Sequence, residues 1–406
     1  MFMLSSFACL SSSNPGAPAN AIRIGTILPF SGHSASIGVP LESALRLAVD
    51  TVNSAGGLEG RPFYLEVNDS GSDNTAGTAN ALALMNANPM PFFIGPEEPD
   101  VATQLAPTIA ANQMANLMPG LMSLPIHDTS VDAEWLKLTP SVNYLACAIA
   151  KQMLSDGVVT ANVLTDTDEY SMAFAAAFNE IFMTLGGASV GSLQIPAENA
   201  DLAWILHRSN TPTVLLTSPA IATNLLQQQI VQNQTMTWYL GPTLNNPEVL
   251  RNLPVGALEG VTGFSPDFGA PDNSFDAYFS SSTSVAPLPG AHYYYDAVAL
   301  LALAIAEALA ETSSMPDPVA LKPHLLNVSS AGGEVVAFNQ ISQGLARVKA
   351  GQKVQYQGAA GINILDDQGD STQNQVAIWQ IKSTTFEVVG HQQCSMDEAY
   401  PGKASP

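Results

Sequence analysis

Residues 22–69 constrain this chain more than any other stretch. The run IRIGTIL at 22–28 is apolar and short, the length of a buried strand. Pro29-Phe30-Ser31-Gly32 breaks it, and a loop of small residues follows to Gly38. Ala44, Leu45, Leu47, Ala48 and Val52 then recur at helical spacing, which predicts a helix with one buried face. Gly56-Gly57 stops that helix, and FYLEV at 63–67 begins a second strand. Strand, helix and strand in this order make a βαβ unit, so a parallel sheet with a right-handed crossover is expected. In such sheets small ligands bind where loops leave the carboxyl ends of the strands. The first such loop is 29–38, and the search for a site begins there.

The same alternation continues. A helix is predicted over 74–87, a strand at 91–95, a helix over 101–111 and a strand at 114–118. Glu97, Glu98 and Asp100 fall where the third helix begins, a place that suits acids next to the positive end of the helix dipole. At Trp135 the series restarts, with helices expected over 142–154, 169–185, 200–207 and 221–232. Strands are expected between them at 161–165, 189–195, 213–217 and 237–240, and 261–264 leads back. Two such series imply two lobes with a cleft between them. The segment GAHYYYDAVALLALAIAEALAE at 290–311 is apolar nearly all round. Asp296 and Glu307 interrupt it and alanine dominates it, so it reads as a core helix rather than a membrane span.

Charge excludes some partners. The chain carries 35 acidic and 13 basic residues among 406, a net charge of −22. The scarcity of Lys and Arg argues against binding nucleic acid or an anionic membrane surface. Cys9, Cys147 and Cys394 form neither a disulfide framework nor a zinc pattern, and Cys147 in LACAIA reads as a buried core thiol. His127, His207, His292, His324 and His391 lack metal-ligand spacing, and no Walker loop or nucleophile elbow is present. The acidic groups around Asp166-Thr167-Asp168 and Asp366-Asp367 read as a helix start and a turn, not as calcium loops. Neither enzyme chemistry, metal nor cofactor is expected.

Several motifs recur in an order that resembles a known family: IRIGTILPFSG, NSAGGLEGRPFYLEVNDSGSDNTAG, IGP, MPG, YYYDAVALLALAIAEAL and GINILDDQGDSTQNQVAIWQIKSTTFEVVG. Together they resemble the type I periplasmic binding proteins, in the leucine/isoleucine/valine-binding branch that serves bacterial ABC importers. The resemblance spans about residues 22–390. It implies an α/β fold of two Rossmann-like lobes, parallel sheets flanked by helices, with three hinge crossings and a ligand cleft between the lobes. It also implies lobe one at 22–138 plus 265–351, lobe two at 139–264 plus 352–390, a linker at 1–21 and a tail at 391–406. The crossings are expected near Leu138, Phe264 and Gly361. The N-terminal SFAC resembles the cleavage box of a bacterial lipoprotein, with Cys9 as the lipidated residue, although no basic region precedes it and the apolar stretch is short.

Against the family pattern the amino-acid grip is missing. Pro99, followed by Asp100, stands where the family's carboxylate-binding serine aligns. Leu121 and Met122 stand where an Ala-Thr pair gives a second contact. Thr243 stands where an acid takes the ligand ammonium, and Ile37 replaces an aromatic, whereas Tyr170 matches a tyrosine that closes over the ligand. Losing a charge-assisted bond to the ammonium would cost about 1.5–3 kcal/mol, so leucine is not the expected ligand. The cleft is expected to be lined by Ser31, Ile37, Glu98, Asp100, Leu121, Met122, Tyr170, Ser218, Thr243 and Tyr294. Acids and apolar groups without a basic residue suit a neutral or cationic, partly apolar ligand. The expectation is a monomeric, periplasmic or cell-surface protein that delivers a small ligand to an ABC permease, touching the membrane through a lipid anchor alone. A sensor or interaction protein without a transport role is the alternative.

Overall fold

Alternating strands and helices build a parallel sheet in each lobe; two antiparallel strands from the far end of the chain extend the second, and three later strands form a small sheet of their own. The computed structural model describes residues 16–120, 135–195, 211–267, 274–288, 290–362 and 364–402. In the first sheet, β1 (Ile22–Leu28) lies between β2 (Phe63–Asp69) and β3 (Phe92–Ile94). β4 (Ala115–Met118) and β5 (Trp135–Lys137) extend it in the order β2-β1-β3-β4-β5, all parallel. The crossovers are α1 (Ala35–Ser54), α2 (Asn74–Ala87) and α3 (Pro99–Ala111).

After β5 the chain enters the second lobe. α4 (Val142–Ser155), β6 (Thr160–Thr165), α5 (Glu169–Thr184), β7 (Ser189–Gln194) and β8 (Thr213–Leu216) follow, then α6 (Pro219–Val231), β9 (Trp238–Leu240), α7 (Pro247–Arg251) and β10 (Thr262–Pro266). These strands are parallel to one another. The helix expected over 200–207 lies outside the described residues.

The chain then returns to the first lobe through α8 (Ser274–Thr283), α9 (Ala291–Thr312), α10 (Lys322–Ser329), β11 (Glu334–Ala337), α11 (Ile341–Lys349), β12 (Val354–Gly358) and β13 (Gly361–Ile362). α9 is 22 residues long and apolar enough to cross a membrane, yet 83% of its apolar window is buried inside the protein. Its buried Leu300, Leu301, Leu303 and Ile305 sit in one core with Ile24, Leu45 and Phe92. Each such side chain contributes about 1.5–3 kcal/mol by leaving water. The buried Asp296 in the same helix accepts hydrogen bonds from Tyr356 Oη at 2.7 Å, Ala359 N at 2.7 Å and Ala360 N at 2.8 Å. Those bonds fasten α9 to the β12–β13 turn. Gly358 has no alternative there, since a Cβ would come within 2.2 Å of the Asp296 carboxylate.

This return corrects the expected boundary at 352. β12 pairs with β11, and Val354, Tyr356, Ala360 and Leu365 lie in the first core. The crossing into the second lobe falls after Leu365, beside β5: Lys137 N–H donates to Gly369 O at 2.8 Å and Ser371 N–H to Lys137 O at 2.9 Å. β14 (Gln375–Lys382) and β15 (Thr385–Gln393) then add antiparallel strands to the second sheet, whose order is β15-β14-β10-β9-β8-β6-β7.

The expected tail from 391 onward is also corrected. α12 (Met396–Ala399) packs on α4, with Tyr400 Oη donating to Ser141 Oγ at 2.7 Å. Here too the expected lone thiol proves to be bonded: Cys147 in α4 forms a disulfide with Cys394 across 247 residues of sequence. The pairing closes the C-terminal segment onto the second lobe.

Candidate functional site

Between the lobes lies a cavity of about 510 Å³, walled by loops that leave the carboxyl ends of parallel strands in both sheets. From the first lobe come Pro29, His33, Ser34 and Ile37 after β1, Ser72 to Thr75 after β2, and Glu97 to Asp100 after β3. From the second come Asp166 to Asp168, Tyr170 and Ser171 after β6, Ile195 after β7, Leu216 to Pro219 and Ile221 at the end of β8, and Thr243 after β9. A wider space of about 770 Å³ shares His33 and Pro219 with it and is walled by polar residues such as Ser36, Asn224, Gln227 and Glu248.

The rims of the two lobes touch. Asp100, in the first turn of α3, accepts through Oδ1 from the N–H of Glu169 at 3.0 Å. That N–H opens α5 and has no partner within its own helix, so the carboxylate both satisfies it and meets the positive end of the dipole. Thr103 Oγ1 donates to Glu169 Oε2 at 3.0 Å, and Asn246 Nδ2 donates to Ser36 Oγ at 2.9 Å. Hydrogen bonds therefore join the two rims on the α3–α5 side and on the α1 side of the cleft.

Six carboxylates stand among the lining residues. Asp73, Glu97, Glu98, Asp100, Asp166 and Asp168 all contribute, and no Lys or Arg does so among the described residues. Asp73 and Asp168 are occupied as helix N-caps, accepting from Ala76 N–H and Ser171 N–H. Glu97 Oε2 accepts from Tyr294 Oη at 2.9 Å. Asp100 Oδ2 accepts from Asn74 Nδ2 at 2.6 Å, beside its bond across the cleft.

Glu98 and Asp166 differ from these. Glu98 is 8% exposed, its Oε1 accepts from Ser70 Oγ, and its Oε2 is buried with no hydrogen-bond partner among the described residues. Burial pushes the Glu98 carboxyl above the ordinary range; the Ser70 bond opposes this and the nearby Asp69 charge adds to it. Asp166 Oδ2 accepts from Ser218 N–H at 2.7 Å, while its Oδ1 is buried without a partner. Burial is the main reason its pKa is pushed up to about 7, helped by the charge of Asp168 and opposed by the Ser218 N–H. Ser218 Oγ is likewise buried and unpartnered.

Of the residues expected to line the cleft, Ile37, Glu98, Asp100, Tyr170, Ser218 and Thr243 are brought together here. Thr243 Oγ1 is turned to its own lobe, donating to Thr217 O at 2.7 Å. Two others are not among the lining residues. Ser31 is held by Asp69, its Oγ donating to Oδ2 at 2.7 Å. Tyr294 is fully buried in α9 and reaches the site through Glu97. Leu121, Met122 and Cys9 lie outside the described residues. Sequence reasoning missed Asp166 as a lining residue and read its motif as a helix start. That reading holds for Asp168; Asp166 stands two residues earlier, directly after the end of β6, where the rule for parallel sheets places ligand groups.

Two parallel-sheet lobes around a cleft, joined by crossings, are the architecture of type I periplasmic binding proteins, and this chain is one. It belongs to the family described as the receptor family ligand binding region, whose model matches residues 40–384. The Leu/Ile/Val-binding protein homolog 8 of Brucella suis biovar 1 (strain 1330) is 33% identical over 108 residues, 27% of this chain and 25% of that protein. The Leu/Ile/Val-binding protein BraC3 of Rhizobium johnstonii is 29% identical over 24% of this chain and 26% of its own length. The alignments thus span about a quarter of these curated relatives. Among solved structures, the leucine-binding protein LivK of Thermotoga maritima MSB8 superposes with a TM-score of 0.74 at 17% identity, covering 92% of this chain and 99% of that one. A solute-binding protein of an ABC transporter from Rhodopseudomonas palustris BisB5, in complex with 3,4-dihydroxybenzoic acid, also gives 0.74, at 16% identity over 95% of this chain and 100% of that one. At these identities the superpositions establish the fold.

Proposed function

We propose that this chain is an extracytoplasmic solute-binding protein that captures a small ligand by closing its lobes and delivers it to an ABC importer. The observation that carries this reading is the cavity itself: about 510 Å³, walled from both lobes and latched by the Asp100 bond to Glu169 N–H. A ligand there would bridge the lobes and stabilise the closed form by its differential affinity for it. The Cys147–Cys394 disulfide supports a location outside the cytoplasm, where such bonds persist. Anchoring through a lipidated Cys9 and a monomeric state belong to the same proposal. So does a division into moving bodies of 22–137 with 274–365 and 138–267 with 371–402, which follows the strand pairing and the two cores. The role is binding, not catalysis.

A thermal-shift screen against a library of small metabolites tests the reading. A ligand at a hundred times its dissociation constant adds about 2.7 kcal/mol to stability. Hits whose effect disappears when Ile37 or Ser218 is replaced by a bulky Trp would support it. Hits that survive both replacements would place binding elsewhere and refute it.

A further inference from the structure

We infer that the solute is an organic cation, a primary amine on an apolar body and without a carboxylate, whose ammonium sits between Glu98 of one lobe and Asp166 of the other. The inference rests on the solute-binding reading above and names the ligand class for that same cavity. Three side chains that line it each carry a buried oxygen without a hydrogen-bond partner among the described residues: Glu98 Oε2, Asp166 Oδ1 and Ser218 Oγ. An ammonium offers three donors and no acceptor, which matches three such oxygens. Leaving a buried acceptor unmade is costly, and a cationic donor forms the stronger kind of bond with a carboxylate.

The positions of the two acids also give the cation a mechanical role. Glu98 follows β3 in the first lobe and Asp166 follows β6 in the second. Closing the cleft without a ligand brings two carboxyls into one water-poor space, and burial holds both above the ordinary carboxylate range. A cation between them is attracted to an acid of each lobe, so the charge that is recognised is also the charge that draws the lobes together. Part of the wall is apolar: Ile37, Ile195, Leu216, Ile221 and the buried ring of Tyr170. A bare metal ion would leave that wall and most of the volume unfilled. A carboxylate on the ligand would face the acids with no Lys or Arg to offset it.

Isothermal titration calorimetry on the purified full chain tests this with matched probes. Isopentylamine and phenethylamine are compared with isopentanol and 2-phenylethanol, with 4-methylpentanoate and 3-phenylpropanoate, with leucine, and with calcium chloride alone. The amines should bind at least ten-fold tighter than the alcohols of the same shape. Glu98→Gln and Asp166→Asn should each bring that ratio near one. The ratio is read within each variant, and the wild-type ratio decides the matter by itself if a variant does not fold. Tighter binding of an acid, of leucine or of an alcohol overturns the cation assignment and leaves the solute-binding reading standing. Calcium binding that the amines do not displace also overturns it, in favour of a metal ion. If no probe binds, the assignment falls; if the metabolite screen is blank as well, the solute-binding reading falls with it.

Discussion

Replacing Asp166 by asparagine should make the ligand-free protein more stable, and the gain should depend on pH in a defined direction. The Asp166 carboxyl ordinarily titrates at 3.8 and is pushed up to about 7 in the fold, mainly by burial. The folded state thus favours the protonated form. Its contribution to stability is fully present below about pH 4 and is lost as pH rises through about 7. At about 1.4 kcal/mol for each pH unit, that gap amounts to a ceiling of about 4 kcal/mol at pH 8. Asparagine keeps the shape and an acceptor for the Ser218 N–H without the charge, so it removes this penalty. Relaxation around the ionised group lowers the yield, and a gain of about 2–4 kcal/mol is expected at pH 8. The gain should shrink to less than half by pH 5 and vanish near pH 4. Urea unfolding of both proteins at these three pH values, without ligand, measures it directly. A variant less stable than the parent at pH 8, or a difference that does not change with pH, would refute the reasoning. Gain of stability with loss of binding is the trade expected of a residue kept for function.

Other substitutions probe the frame. Cys394→Ser should lower stability by about 2–4 kcal/mol, as read by chemical denaturation under non-reducing conditions, because the disulfide closes a long loop. Gly358→Ala should cost about 1–3 kcal/mol in the same assay, since its Cβ would meet the Asp296 carboxylate at 2.2 Å. An unchanged midpoint would mean that α9 is not fastened to the β12–β13 turn as described. Asp100→Ala removes the bond to Glu169 N–H across the cleft and should weaken binding of any solute about five-fold, chiefly through faster dissociation.

Where the sequence was legible, regular spacing made it so. The βαβ frame follows from apolar runs of strand length, a 3.6-residue periodicity and glycines at the helix ends, all of which are local. α9 was legible because an apolar helix interrupted by Asp296 and Glu307 has few places to go except a core. Long-range choices were not legible. β12 has the same alternating pattern whichever sheet it joins, so the expected boundary at 352 cuts before it, whereas the chain leaves the first core after Leu365. Nothing in the spacing of Cys147 and Cys394 says that the C-terminal segment folds back onto α4. The three consecutive tyrosines of α9 point about 100° apart, and periodicity alone does not say which faces the cleft. Their hydroxyls reach Gln373, Glu97 and the carbonyl of Phe338 in turn. In the candidate site, the acidic loop after β3 was visible as a cluster, but its division of labour was not. Asp100 turned out to latch the lobes, while Glu98 keeps a buried oxygen without a partner.

Lobe closure on a bound solute is the central claim, and a distance measured across the cleft tests it most directly. Spin labels at Val39→Cys and Gln227→Cys, with Cys9 replaced by serine and the native disulfide intact, report the separation of the exposed surface of α1 from that of α6. Pulsed electron resonance should show a broad, longer distribution without solute, and one narrow, shorter distance with saturating amine. The same distribution in both samples, with binding confirmed by calorimetry, would contradict closure.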